Sequence, residues 1–167
     1  VSRPSLREAL IALEIEGVIE VRTGSGIYVL DAPAPNGAGH GGSPEWGPLQ
    51  LMKAREVVEG EVAALAARHA RKSDLAAIDA GLQQMQAEVD AGREPRAGDE
   101  RFHNAIAAAC GNEVLRDTVH TYWRARYGPL FERLGDYFET SYSWHAAIRE
   151  HALVLEAIRS GDPGAAR

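Results

Sequence analysis

Residues 31–48, DAPAPNGAGHGGSPEWGP, divide the chain: five of its 17 glycines and four of its eight prolines fall in this stretch. Proline removes backbone donors and glycine maximises the conformational entropy lost on ordering, so the stretch reads as a linker and not as part of a helix or sheet. Folding must then happen on either side of it. Residues 1–30 are too few to bury a core of their own, and they open on Val1 instead of Met, which points to a preceding part of the same domain outside this sequence. Residues 49–167 are long enough to bury one. At 45% hydrophobic and 25% charged, the 167-residue chain is neither a disordered tail nor a fibre.

Composition narrows the classes further. There is no run of about 18 to 20 apolar residues and no charged-then-apolar leader, so the reading is a cytoplasmic protein without a membrane partner. The lone cysteine, Cys110, excludes an internal disulfide, a multi-cysteine zinc site and an iron–sulfur cluster. A net charge of −6 and a pI near 5.5 argue against a surface that coats nucleic acid everywhere, while leaving room for a local basic patch.

After the linker the pattern is helical almost throughout, and β-branched alternation is missing. A first helix is expected over 49–71, with Leu51, Met52, Val58, Val62, Leu65 and Ala66 spaced at three and four. Ser73 caps a second that starts at Asp74 and ends near Asp90, turning Leu75, Ile78, Leu82, Met85 and Val89 inward. A third covers about 98–110, and the Gly111-Asn112 turn stops it. A fourth covers 113–127, a fifth about 130–136 after Pro129, and a sixth 141–160. Trp123, Tyr122, Tyr127 and Phe131 read as core aromatics.

Before the linker, Ser2 and Pro4 start a helix whose Leu6, Leu10 and Leu13 face inward, and Gly17 ends it. Val18–Val21 and Ile27–Leu30 then form two strands joined by the Arg22-Thr23-Gly24-Ser25-Gly26 tip. A helix followed by a two-stranded wing is the C-terminal part of a winged helix-turn-helix. In that fold the helix meets the major groove by its N-terminal end, where Arg3, Ser5 and Arg7 stand exposed, and an arginine fork matches the O6 and N7 of guanine. The competing reading is a fragment with solvated arginines, since residues 1–30 hold three arginines against four glutamates.

In the helical part, Asp99 and His103 are four apart and project from one helix face within reach of a single cation. Such pairs are more often surface hydrogen bonds than ligands. His151, at the head of the apolar run Leu153, Val154, Leu155 and Ile158, is placed to converge on the same site between helices. His120 and His145 are alternatives for completing it; His40 and His69 read as solvated. Two imidazoles and a carboxylate suit zinc, nickel or manganese equally, so a divalent metal is expected without an identity.

The string VSRPSLREALIALEIEGVIEVRTGSGIYVL resembles the recognition helix and wing of the GntR family of bacterial transcription regulators, on Ser2-Arg3, Leu6-Arg7-Glu8-Ala9-Leu10, Leu13, Glu16-Gly17 and Gly24-x-Gly26. The resemblance implies that Arg3 and Arg7 contact operator DNA and that Thr23 and Gly24 reach the adjacent backbone or minor groove. Leu51-x-x-x-Arg55, Asp99-x-x-Phe102-His103, Gly111-Asn112, Glu150-His151 and Gly161-Asp162 resemble the FCD ligand-binding domain of the family's FadR-like branch. That implies a mainly α protein, with a partial winged unit over 1–30 and an antiparallel bundle of six or seven helices over 49–167. It also implies a divalent metal on one Asp and three His, of which Asp99, His103 and His151 are present and the fourth is expected beyond Arg167.

Three functions follow from these readings. The first is a homodimeric transcription regulator, read as a repressor, that senses a small carboxylate in the bundle. Arg55 is its candidate bidentate clamp, equally readable as a salt bridge to Glu59. Asn112 and Tyr137, with Arg124 and Arg126, are candidates for the cavity wall, although Asn112 also suits a helix cap. The second is a metal-dependent hydrolase or lyase, disfavoured because Glu100 and Glu150 point away from the ligands by helical phase. The third is a dimerisation bundle without a ligand.

Overall fold

The computed structural model describes residues 9–11, 13–14, 17–22, 25–30, 46–127, 131 and 139–167. Residues 9–11, 13 and 14 are helical, and Gly17 (φ 72°) turns the chain into an antiparallel hairpin of β1 (Ile19–Arg22) and β2 (Gly26–Val29). The pairing runs from Ile19↔Val29 to Arg22↔Gly26, one residue later at the first strand than the alternation suggested. Glu14 ties the two parts together, its Oε1 accepting from the Val21 amide at 3.0 Å.

Beyond the linker come α1 (Pro48–His69), α2 (Lys72–Asp90), α3 (Arg96–Ala109), α4 (Glu113–Ala125), α5 (Ser141–Ser160) and α6 (Pro163–Ala166). Local chemistry sets most of these ends. Pro48 occupies the first turn of α1, where its missing donor costs nothing. α2 begins at Lys72 and not at Asp74. The Asp74 carboxylate sits three residues into the helix and accepts from the Arg71 amide at 2.9 Å, so Arg71, and not Ser73, is the capping position. α3 starts two residues before Gly98, with Glu88 Oε2 accepting from the Gly98 amide at 3.1 Å. Thr140 caps α5, and Gly161 in the left-handed conformation (φ 69°) closes it. Asp162 then caps the short α6, which the helical pattern did not disclose. The helix expected over 130–136 falls outside the described residues, apart from the buried Phe131.

The core joins Leu51 and Val62 of α1, Ile78 and Met85 of α2, Phe102 and Ile106 of α3, Val119 and Trp123 of α4, and Leu155 and Ile158 of α5. Its tightest seam is between α2 and α3. A Cβ on Gly81 would lie 2.7 Å from the Phe102 backbone, and one on Gly98 would lie 2.4 Å from the Met85 amide nitrogen. Only hydrogen fits there. The seam brings α3 against α2 from its first turn, which fixes the height at which Asp99 and His103 stand. Three expectations for the core change. Leu153, in the apolar run expected to face inward after His151, is 72% exposed. Met52 is exposed at the rim of a cavity, and Tyr127 is half out of the surface, its hydroxyl donating to Glu100. Among the described residues no helix is long and apolar enough to cross a membrane.

Candidate metal centre

Asp99 lies in the first turn of α3, His103 one turn later, and His151 midway along α5. The bundle brings all three together. His151 Nε2 is 2.9 Å from Asp99 Oδ1, His103 Nε2 is 3.4 Å from the same oxygen, and the two Nε2 atoms are 3.1 Å apart. Among the described residues this is the single cluster of three such donors. The side chains are 16–22% exposed, so the group is sheltered yet reachable.

The remaining ring nitrogens decide what the cluster can do. His151 Nδ1 is 2.7 Å from the Ala147 carbonyl, an atom that only accepts. His103 Nδ1 is 2.7 Å from Glu59 Oε2. Burial works to raise the Glu59 carboxyl, but the bonds from His103 and Arg55 outweigh it and hold its pKa at about 2. A carboxylate also only accepts. Both imidazoles therefore carry their proton on Nδ1 when neutral and turn bare Nε2 lone pairs toward a carboxylate oxygen.

Three acceptors facing one another at about 3 Å need a positive charge among them. In the absence of a cation a proton supplies it: burial opposes the change, but Asp99 and Glu59 raise the pKa of His103, and the two histidines hold Asp99 well below the carboxylate range. A first-row divalent cation also fits. Ligand bonds of about 2.0–2.2 Å at tetrahedral to octahedral angles put neighbouring ligand atoms about 2.9–3.5 Å apart, and the three separations fall in that interval.

Around the three lies a second ring of charge. Arg55 of α1 closes its fork on Glu59, Nε to Oε1 at 2.6 Å and Nη2 to Oε2 at 3.1 Å. Arg126, just past α4, gives Nη1 to Asp99 Oδ2 at 3.2 Å, which leaves Oδ1 as the oxygen turned to the histidines. Both guanidinium carbons lie against the buried Trp123 ring, 4.3 and 4.6 Å from its centroid, and the His103 ring is 5.1 Å away. A cavity of about 330 Å³ opens on Arg55, Glu59, His103 and His151, with apolar walls from Val62, Phe102, Ile106 and Val119. A second, of about 200 Å³, opens on Asp99 and Arg126 beside Glu139 and Trp144. The ligand cluster thus separates two cavities.

Several expected residues stand elsewhere. Arg55 turns its Nε–Nη2 edge to Glu59, the salt bridge that was its second reading; the hydrogens left over are one on Nη2 and those of Nη1, which lies 3.8 Å from Met52 Sδ. Asn112 is exposed and lines neither cavity: its side-chain oxygen caps α4, accepting from the Val114 and Leu115 amides at 3.0 and 3.2 Å. Arg124 is exposed. Tyr137 and the candidate DNA contacts Arg3, Ser5, Arg7, Thr23 and Gly24 lie outside the described residues, as does His40. His69, His120 and His145 are exposed, the last bonded to the Ser141 carbonyl. Glu150 is exposed, and Glu100 faces Tyr127.

Glu59 was read only as a partner for Arg55, and Arg126 only as one of several wall candidates. The sequence held one signal for Glu59: Leu51, Arg55, Glu59 and Val62 share one helix face, so two charges interrupt a buried stripe.

Comparison with known proteins bears on what this arrangement serves. Residues 50–167 match the FCD domain, and residues 1–29 match the bacterial regulatory proteins of the gntR family. The chain is 34% identical over 176 residues to the Uxu operon transcriptional regulator of Escherichia coli K12, covering all of this chain and 67% of that protein. It is 30% identical over 168 residues to the Uxu operon regulator of Haemophilus influenzae, again over its full length but 63% of the relative's. The HTH-type transcriptional regulator LutR of Bacillus subtilis is 34% identical over 97% of this chain and 76% of its own. The chain thus spans about two thirds of the first two of these relatives. Among solved structures, Streptococcus agalactiae GntR superposes with a TM-score of 0.58 at 22% identity, over 99% of this chain and 76% of that one. E. coli McbR/YncC gives 0.61 at 18%, over 96% and 74%. The three relatives from Escherichia coli, Haemophilus influenzae and Bacillus subtilis are named as regulators, not enzymes.

Proposed function

The chain belongs to the gntR family of bacterial regulatory proteins and carries that family's FCD domain, and on that premise we infer that it is a DNA-binding transcription regulator whose helical domain senses a small carboxylate at a divalent metal. The observation that carries the metal part is the meeting of Asp99 Oδ1, His103 Nε2 and His151 Nε2 as three lone-pair donors with both Nδ1 protons committed elsewhere. A cation held there would supply positive charge that attracts an anionic ligand.

The chain's own groups do the rest. His103 and His151 face the larger cavity, whose volume lies at the low end of the range for small-molecule sites and whose walls are mainly apolar. That shape suits a compact organic acid, its carboxylate at the histidines and its body along Val62, Phe102 and Ile106. Arg55 Nη1 adds one donor there. On this reading the winged unit reads operator DNA through Arg3, Ser5, Arg7, Thr23 and Gly24, and the regulator acts in the cytoplasm as a homodimer and repressor. Effector binding acts by favouring one placement of the winged units over another, which requires unequal affinity for the two placements.

Elemental analysis of the purified chain beside the Asp99→Ala/His103→Ala variant tests the metal. The expected result is about one divalent ion per parent chain and none in the variant. A parent that stays empty after incubation with zinc, nickel and manganese in turn overturns it. A thermal-shift series of small hydroxy acids and dicarboxylates, run with and without chelator, tests the effector class. A rise in melting temperature that appears only with metal present is the expected outcome.

A further inference from the structure

We propose that Glu59 is the positioning residue of this centre: by accepting the Nδ1 proton of His103 it fixes the tautomer that presents Nε2 to Asp99 and His151, and Arg55 holds Glu59 in that role. The inference rests on the metal-centre reading and extends it to α1, a helix that contributes no ligand.

The two histidines reach the same protonation pattern by different means. His151 is oriented from within its own helix, Nδ1 donating to the carbonyl of Ala147 one turn back. That bond comes with the helix. His103 has no such partner on α3. Its Nδ1 points across to α1, where Glu59 Oε2 waits at 2.7 Å. Without that acceptor the proton is free to sit on Nε2, where it would cancel the lone pair that a cation requires.

Glu59 is itself a buried charge, its side chain 11% exposed, and such a carboxylate is retained only with partners. Arg55 supplies two bonds one helical turn away, and the Trp123 ring lies against the guanidinium that makes them. The order of dependence is Trp123, Arg55, Glu59, His103. Each member restricts the next, and only the last touches the ligand position. Partners of this kind, hydrogen-bonded to the distal nitrogen of a ligating imidazole, are worth about 10- to 100-fold in metal affinity.

The test reads the ring directly. Long-range proton–nitrogen spectra of the complete, metal-free chain, taken over a pH series that carries the ring from its charged to its neutral form, should show the neutral His103 ring protonated on Nδ1, its signal assigned by loss in His103→Gln. In Glu59→Leu the Nε2–H form should replace it and zinc affinity should fall about 10- to 100-fold. In Glu59→Gln, whose amide oxygen still accepts, the Nδ1–H form and most of the affinity should return. A parent that binds zinc while His103 carries its proton on Nε2 overturns the assignment of Glu59. So does a folded Glu59→Leu that binds zinc as tightly as the parent. A parent with the Nδ1–H ring and no zinc affinity overturns the metal reading, and leaves the tautomer lock standing as a property of the metal-free protein.

Discussion

Two neighbourhoods on the same helix are built on opposite terms. At Gly98, α3 meets α2 so closely that one extra carbon would lie 2.4 Å from the Met85 amide. At Asp99, the next residue, the side chain enters a group of two histidines, two acids and two arginines in which every partner is polar. The first contact is specified by volume and is blind to charge. The second is specified by charge, and its geometry is satisfied only when something positive sits among three acceptors. A single turn of helix therefore carries both a permanent fixture and a conditional one.

The two neighbourhoods should respond to different perturbations. The largest effect is expected from Gly98→Ala, where overpacking against backbone should cost about 3 kcal/mol. Thermal or urea unfolding should show that loss with chelator as well as with zinc, and a loss that vanishes in chelator would place Gly98 in the conditional part. The next belongs to the metal. Zinc at 100 times its dissociation constant should stabilise the parent by about 2.7 kcal/mol and leave Asp99→Ala/His103→Ala where it was. Equal stabilisation of both would move the ion to some other place.

Smaller effects sharpen the border. Asn112→Ala should cost about 1 kcal/mol through the lost cap of α4 while zinc affinity, measured by titration, stays put. A drop in affinity would return Asn112 to the cavity wall. Last comes Glu139, whose carboxyl is pushed up by burial and by Glu94 against the pull of Arg126. The folded chain then holds that proton more tightly than the unfolded one. Stability falls as pH rises from the unfolded toward the folded value, and the deficit persists at neutral pH. Glu139→Gln should recover it, raising stability by less than about 1 kcal/mol at pH 7, with the gain shrinking toward pH 4. A melting temperature that is unchanged at pH 7 would contradict this account of Glu139.

The juxtaposition of Asp99, His103 and His151 was legible because two of the three share a helix face by spacing, and the third precedes Val154, Leu155 and Ile158, which pack into the bundle although Leu153 of the same run is exposed. α5 was legible for the related reason that its polar start at Thr140 and Ser141 and its terminal Gly161 are local signals. The start of α2 was misread because two residues compete for the cap: Ser73 has the customary side chain, but Asp74 reaches back to the Arg71 amide. The parts that escaped are those made by distant segments. Nothing near His103 in the sequence says that its Nδ1 meets α1, and nothing near Asp99 says that Arg126 takes its second oxygen. Arg55 shows where spacing stops short. A carboxylate clamp and a salt bridge to Glu59 fit its position equally, and the fold joins its Nε–Nη2 edge to Glu59, which is buried with it.

The glycine seam has a mechanical consequence. Interlocked backbones cannot be sheared by a few tenths of an ångström without collision, since close-packed interiors resist compression. A Cβ at Gly81 or Gly98 would fall within 2.7 Å of the facing backbone, so the contact admits no side chain at either position, and Asp99, one residue on from Gly98, stands on the turn of α3 that this contact fixes.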